Sequence, residues 1–279
     1  MPRHKEEKDK KRRPAAAFWV GKTTDTIILV ALTALLSFVM FQYRDYIKVL
    51  EDITSQELPA MPAVSPTPTS GPSASPSAVP TASPGPLWVR PDFAGKREQF
   101  DNQDIIGYLD VPDTTIRYFV TQAGDNVFYL NHNIKLEEHN AGWVFLDYDN
   151  DISKEDDNTI IYGHNMRLPI MFHDLRKFRD EEFTRSHPYF YYQTLYDDYI
   201  FEVFAVFLTD TSFSYNRVNM SEADYRKLLD RMLDISMFDL GLEVGVTDRI
   251  LTLSTCSNLV DDERLVVVGK MAERRSVKR

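Results

Sequence analysis

The stretch RILTLSTCSNLVDDERLVVVGKM, residues 249–271, decides how this chain is read. Two apolar runs, 250–255 and 265–268, are rich in Leu, Val and Thr and flank a polar loop, so they are expected to be two buried strands joined by a turn. The only cysteine of the protein, Cys256, closes the first run, and Arg264 opens the second. A thiol and a guanidinium therefore stand at the same end of a strand pair. A lone cysteine can equally be a small buried hydrophobe, and Arg264 a strand-end charge bridged to Asp261, Asp262 or Glu263. The remainder of the sequence bears on that choice.

The 279 residues leave room for one sizeable domain or two small ones. Charge is distributed unevenly. Residues 1–22 carry eight Lys or Arg against three acids, whereas from Leu87 onward there are 22 basic and 34 acidic residues, a formal charge of −12. So acidic a domain repels phosphate backbones, which argues against nucleic acid as a partner.

Between Asp25 and Arg44 lie 18 uncharged residues, TIILVALTALLSFVMFQY. As a helix they would span roughly 27 Å, close to the hydrocarbon thickness of a bilayer. Residues 26–43 are therefore expected to be a transmembrane signal anchor; Phe41, Gln42, Tyr43 and Arg44 offer no small-x-small cleavage site. The basic cluster before it places residues 1–25 in the cytoplasm and everything after Tyr43 outside the cell membrane. Residues 44–91 read as an extracellular linker. Its part from 59 to 86 is almost wholly Pro, Ser, Thr and Ala, with nine prolines. That composition cannot bury a core, and in polyproline II it could reach about 85 Å, so it reads as a stalk.

Residues 92–279 form the exported domain. Strands are expected at 105–111, 116–121, 142–148, 159–163, 189–194, 199–208, 250–255 and 265–268, with LYDD marking a hairpin after Thr194. Eight short strands and few helices suggest a closed or nearly closed β-barrel. Ser221 and Asp224 form a capping box, and Tyr225, Leu228, Leu229, Met232 and Leu233 recur at helical spacing, which predicts a helix over 222–235. Shorter helical pieces are expected at 93–102 and 170–178.

An exported lone cysteine cannot make an internal disulfide, so it is either inert or kept free for reaction. Reaction requires the thiolate and hence a nearby base or cation. Of six histidines, His4 is cytoplasmic, His132 and His139 fall in a polar loop, and His173 and His187 lie in or beside helical pieces. His164 directly follows the run 159–163 in TIIYGHNM, where Gly163 would permit a sharp turn. If that strand runs parallel to 250–255 beside it, His164 faces Cys256. Arg264 would then supply a fixed cation where an oxyanion develops. Arg249 lies seven residues from Cys256, about 23 Å along an extended strand, and cannot serve.

These residues resemble the sortase family, and within it class B. TLSTC is similar to the segment around the sortase nucleophile, YGHNM to its histidine segment, and ERLVVVGKM to its arginine-bearing last strand. Weaker likenesses include DIIGYLDVPDTTIRYFV, YLNHN, GWVFLD and MFHDLRKF, so the resemblance spans roughly residues 92–271. It implies a mainly β, eight-stranded sortase-type barrel with an N-terminal helix and a helix inserted between strands six and seven. It also implies a cysteine transpeptidase of the Gram-positive cell surface. In that reading Cys256 attacks the sorting signal of a secreted surface protein. His164 protonates the leaving amine, Arg264 stabilises the oxyanion or positions the peptide, and an amino group of peptidoglycan or its lipid-linked precursor resolves the thioacyl enzyme. Ser254 and Thr255 would border the substrate groove. No cofactor and no metal are expected, since neither an EF-hand-type loop nor a Cys/His cluster is present in the sequence. Two other readings stay open: an exported membrane-anchored cysteine protease, and a membrane-tethered binding module with an inert thiol.

Overall fold

The computed structural model describes residues 15–54, 90–210, 212–256 and 263–277. The basic tail 1–14, the Pro-rich stretch 59–86 and the loop 257–262 lie outside the described residues, as do the expectations that fall on them. The chain divides into two compact units, Met1–Asp45 and Tyr46–Arg279.

The first unit holds most of helix α1, Ala15–Thr54. Its apolar side chains from Ile27 to Phe41 are exposed on every side of the helix. Among the described residues no single helix is long and apolar enough to cross a membrane; a bent pair, Thr26–Phe41 with Tyr46–Asp52, meets the test by length and composition.

The second unit is a closed barrel of eight strands: β1 (Ile105–Asp110), β2 (Arg117–Thr121), β3 (Phe145–Leu146), β4 (Asn158–His164), β5 (Tyr189–Thr194), β6 (Asp197–Thr209), β7 (Ile250–Cys256) and β8 (Arg264–Ser276). They are ordered β1-β2-β3-β4-β7-β8-β6-β5, with β5 pairing back onto β1. β4 and β7 are parallel, and the connection between them must cross over; it carries β5, β6 and α4.

Side chains alternate between two apolar clusters. Ile161, Leu251, Leu253, Leu265 and Val267 point into the barrel core. Ile250, Val266 and Val268 point outward and pack under α4 (Glu222–Asp234), against Tyr225, Leu228, Leu229 and Met232. Burying each such side chain contributes at most about 1.5 to 3 kcal/mol. Ser221 caps α4 by accepting from Asp224 N at 3.2 Å. The Tyr225 hydroxyl lies 3.0 Å from the Asp157 carbonyl and 2.9 Å from that of Asp248, which ties the helix to the beginnings of β4 and β7.

Several expectations are corrected. The strand expected over 142–148 shrinks to Phe145–Leu146, because Gly142 takes a φ of 54° and Trp143 spends its backbone N–H on Tyr129 O. The helix expected at 170–178 is instead a 3-10 segment, His173–Arg179, followed by α3, Glu181–Ser186, which Asp180 caps. Before the barrel, the helix expected at 93–102 is α2, Phe93–Phe100, ended by Asp101, which turns left-handed. The last strand is far longer than 265–268, since its outer half pairs with β6 down to Asp197.

Candidate active site

Register places the site. Seven consecutive pairs join β4 to β7, from Asn158 with Ile250 to His164 with Cys256. The far end of this ladder is pinned by a buried cross-strand bond, Thr252 Oγ1 donating to Asn158 Oδ1 at 2.8 Å. A slip of one residue would break that bond and turn every apolar side chain the wrong way. Adjacent strands lie about 4.8 Å apart, so the backbones of His164 and Cys256, 92 positions apart in sequence, are neighbours. Cys256 is located here by its backbone, as the last residue of β7.

On the other side of β7, the antiparallel ladder with β8 runs to Ser254 opposite Val266. Thr255 Oγ1 then takes the N–H of Leu265 at 2.9 Å. Continuing that register brings Arg264 opposite Cys256. His164, Cys256 and Arg264 thus stand at one level of three adjacent strands, and by alternation His164 and Arg264 lie on the outward face that Ser254 shares. Arg264 is half-buried at the start of β8, where its backbone also pairs with Thr209 of β6. Arg249 lies at the opposite end, ion-paired with Asp157 at 3.1 Å.

His164 is 3% exposed. Its Nε2 is 2.5 Å from the Leu130 carbonyl, which can only accept, so Nε2 carries the hydrogen and Nδ1 the lone pair. Nδ1 is buried without a hydrogen-bond partner among the described residues. Burial lowers the pKa of this histidine, against a smaller opposing effect of the Leu130 carbonyl. Burial thus favours the neutral ring, with Nδ1 as its basic nitrogen.

The Leu130 carbonyl is held by a sequence of local constraints. Asp125 accepts from the N–H groups of Val127 and Phe128, both at 2.8 Å, and starts the 3-10 turn Phe128–Leu130. Gly142 lies against the end of that turn: a Cβ there would come 2.4 Å from Tyr129 O and 2.6 Å from Leu130 O. Gly163 has a different role from the expected one. The strand does not turn at Gly163 but continues through His164, and a Cβ at Gly163 would stand 2.7 Å from the Phe172 ring. Its smallness admits Phe172, whose N–H in turn donates to His164 O at 3.0 Å.

Ser254 is fully buried on the site face, within 2.7 Å of the Tyr215 hydroxyl. Thr255, expected to border the groove beside it, is separated from it by strand alternation, and its hydroxyl is committed to Leu265. Sequence reasoning missed Tyr162, which pairs with Ser254 in register. Tyr162 donates to Asp147 at 2.9 Å and accepts from Asn216 Nδ2 at 3.3 Å; burial and the Asp147 charge hold the phenol neutral. Its signal was the i, i+2 spacing from His164 within TIIYGH. Leu130 had none, because its contribution is a backbone carbonyl.

Comparison with known proteins bears on the family and the fold. The family model described as "Sortase domain" matches residues 109–272. Sortase B of Listeria monocytogenes is 42% identical over 176 residues, covering 62% of this chain and 72% of the relative. A Staphylococcus aureus sortase B–substrate complex superposes with a TM-score of 0.63 at 32% identity, covering 66% of this chain and 86% of that one. A sortase B complexed with triglycine gives a TM-score of 0.61 at 31% identity, with coverages of 66% and 86%.

Proposed function

Since the chain belongs to the sortase family of cysteine transpeptidases, and within it to class B, we propose that it cleaves the C-terminal sorting signal of secreted surface proteins and joins them to an amino group of peptidoglycan or its precursor. The observation that supports this reading is the register that pairs the backbones of His164 and Cys256 at the ends of β4 and β7, with Arg264 at the start of the neighbouring β8.

In the first half-reaction the Cys256 sulfur bonds to the scissile carbonyl carbon as its thiol proton passes to Nδ1 of His164. Arg264 donates to the oxygen that gains negative charge, in a partly buried setting where such a donor has most effect. The C–N bond then breaks, and the imidazolium returns the proton to the departing amine. In the second half-reaction an amine attacks the thioester, His164 takes the surplus amine proton, and the sulfur leaves and is reprotonated. The neutral resting state of His164 and its Nε2 anchor on Leu130 suit this shuttle, because only Nδ1 is left to move protons. The related sortase B structures, one holding a substrate and one holding triglycine, support a peptide donor and an amine acceptor for this chain.

The same proposal includes a single-pass anchor at residues 26–43, with the N-terminus cytoplasmic and the barrel outside. Its support is the 18-residue uncharged run, the basic residues before it, and a helix whose apolar side chains from Ile27 to Phe41 are exposed on all sides. Fluorogenic sorting peptides, offered with and without a triglycine acceptor, test the reaction: amine-dependent transfer that Cys256→Ala abolishes is expected. Hydrolysis indifferent to amine would instead make the protein a protease.

A further inference from the structure

A carboxylate in a segment read as linker should be solvated, yet Asp52, near the end of α1, is only 2% exposed. Its Oδ1 lies 2.5 Å from Lys135 Nζ, and its Oδ2 accepts from Asn133 Nδ2 at 3.2 Å. Tyr46, earlier on the same helix and in the same compact unit, packs against the barrel core. Burying a carboxylate costs several kcal/mol unless it is paired and hydrogen-bonded, and here both conditions are met. The Asp52 carboxylate also raises the Lys135 pKa, chiefly through their hydrogen bond.

The receiving loop is organised by its own bonds. Asn133 Oδ1 accepts from Lys135 N at 2.9 Å and from Glu137 N at 3.0 Å. Asn133 N donates to Glu137 O at 2.9 Å, and His139 N to Asn131 O at 2.7 Å. Ile134 is fully buried, and its carbonyl accepts from Asn102 Nδ2 at 2.8 Å. With its oxygen used twice inside the loop, the Asn133 amide offers only its nitrogen, which donates to Asp52 Oδ2 and, at 3.4 Å, to Glu137 Oε2 within the loop. Lys135 adds a positive charge beside it.

We infer that residues 131–139 are a docking site for this chain's own helix end, Tyr46–Asp52, latched by Asp52 on Asn133 and Lys135. The consequence concerns the Pro-rich segment. Beyond it, Arg90 donates to Thr194 O at 2.5 Å, pairs with Asp198 and lies 5.5 Å over the Phe93 ring. While the latch is closed, Asp52 before that segment and Arg90 after it are thus both fastened to the same unit. The latch stands whether or not residues 26–43 cross a membrane.

Distance measurement between two spin labels tests it, on the full chain in detergent with Cys256→Ala, Lys48→Cys and Glu138→Cys. One short, narrow distance is expected. Asp52→Lys, and separately Lys135→Glu on the half-exposed loop, should each convert it to a broad, long distribution. Asp52→Lys combined with Lys135→Asp should regain the short distance. A broad distribution in the parent, a short distance that survives either single change, or no recovery in the exchanged pair would each overturn the latch. Melting of the barrel within a few degrees of the parent shows that each variant is folded.

Discussion

Replacing Gly142 by Ala tests how the histidine is held. Gly142 has a φ of 54°, where an L side chain costs roughly 1 to 2 kcal/mol. The added Cβ would also stand 2.4 Å from Tyr129 O and 2.6 Å from Leu130 O, so backbone must move, a repacking cost of about 1 to 3 kcal/mol. Together these give about 2 to 5 kcal/mol, which for a domain of this size lowers the melting temperature by roughly 4 to 20 °C. Gly241 supplies the control: its φ is 74°, but nothing lies within 4 Å of a Cβ there, so Gly241→Ala should show the strain cost alone. The carbonyl displaced in Gly142→Ala is the one that receives His164 Nε2. Turnover should therefore fall at least about tenfold, as expected when a catalytic group is mispositioned, while Gly241→Ala keeps native turnover. Thermal unfolding and steady-state kinetics on the two variants decide it. Equal melting shifts, or undiminished turnover in Gly142→Ala, would refute the proposed chain from Gly142 through Leu130 to His164.

Other outcomes follow from the same geometry. Arg264→Lys should melt within a few degrees of the parent yet lose about a hundredfold in kcat/KM, a transition-state cost of roughly 2.7 kcal/mol, because a point charge does not replace a planar fork of donors; near-native kinetics would return Arg264 to a structural charge. Burial depresses the His164 pKa, so the unfolded chain binds its proton first as pH falls. This residue should contribute a loss of stability on going from its ordinary value of 6.5 down towards its folded value, and none above; His164→Gln should flatten that part of a stability–pH curve. Turnover should be unchanged in EDTA, and loss restored by Ca²⁺ would contradict a metal-free reaction.

The parts legible in the sequence were those with strong periodicity or a capping signal. The aromatic run at 189–194 ahead of the LYDD turn and the Ser221–Asp224 box foretold β5 and α4 almost to the residue. The sequence posed the parallel pairing of the histidine and cysteine strands only as a condition, from two apolar runs that each lead to a reactive residue, and the register meets it. Strand β3 was overcalled because GWVFLD has strand composition, while the left-handed Gly142 and the Trp143–Tyr129 bond take its first residues for a turn. Gly163 was misread because glycine signals either freedom or lack of bulk, and only the Phe172 ring shows which one counts. Leu130 was invisible, since its role belongs to an oxygen that every residue possesses. Asp52 was assigned to a linker because its partners, Asn133 and Lys135, are some 80 residues away.

Acyl transfer through the Cys256 thiol, with His164 and Arg264 beside it, is read out by intact-protein mass spectrometry during turnover. The enzyme is mixed with a sorting peptide and sampled before and after triglycine is added. The account predicts a mass increase equal to the acyl fragment, mapped to Cys256, that disappears as the triglycine product forms and is absent in Cys256→Ala. Turnover with no acyl adduct under any quench, an adduct on another residue, or product formation by Cys256→Ala would contradict it.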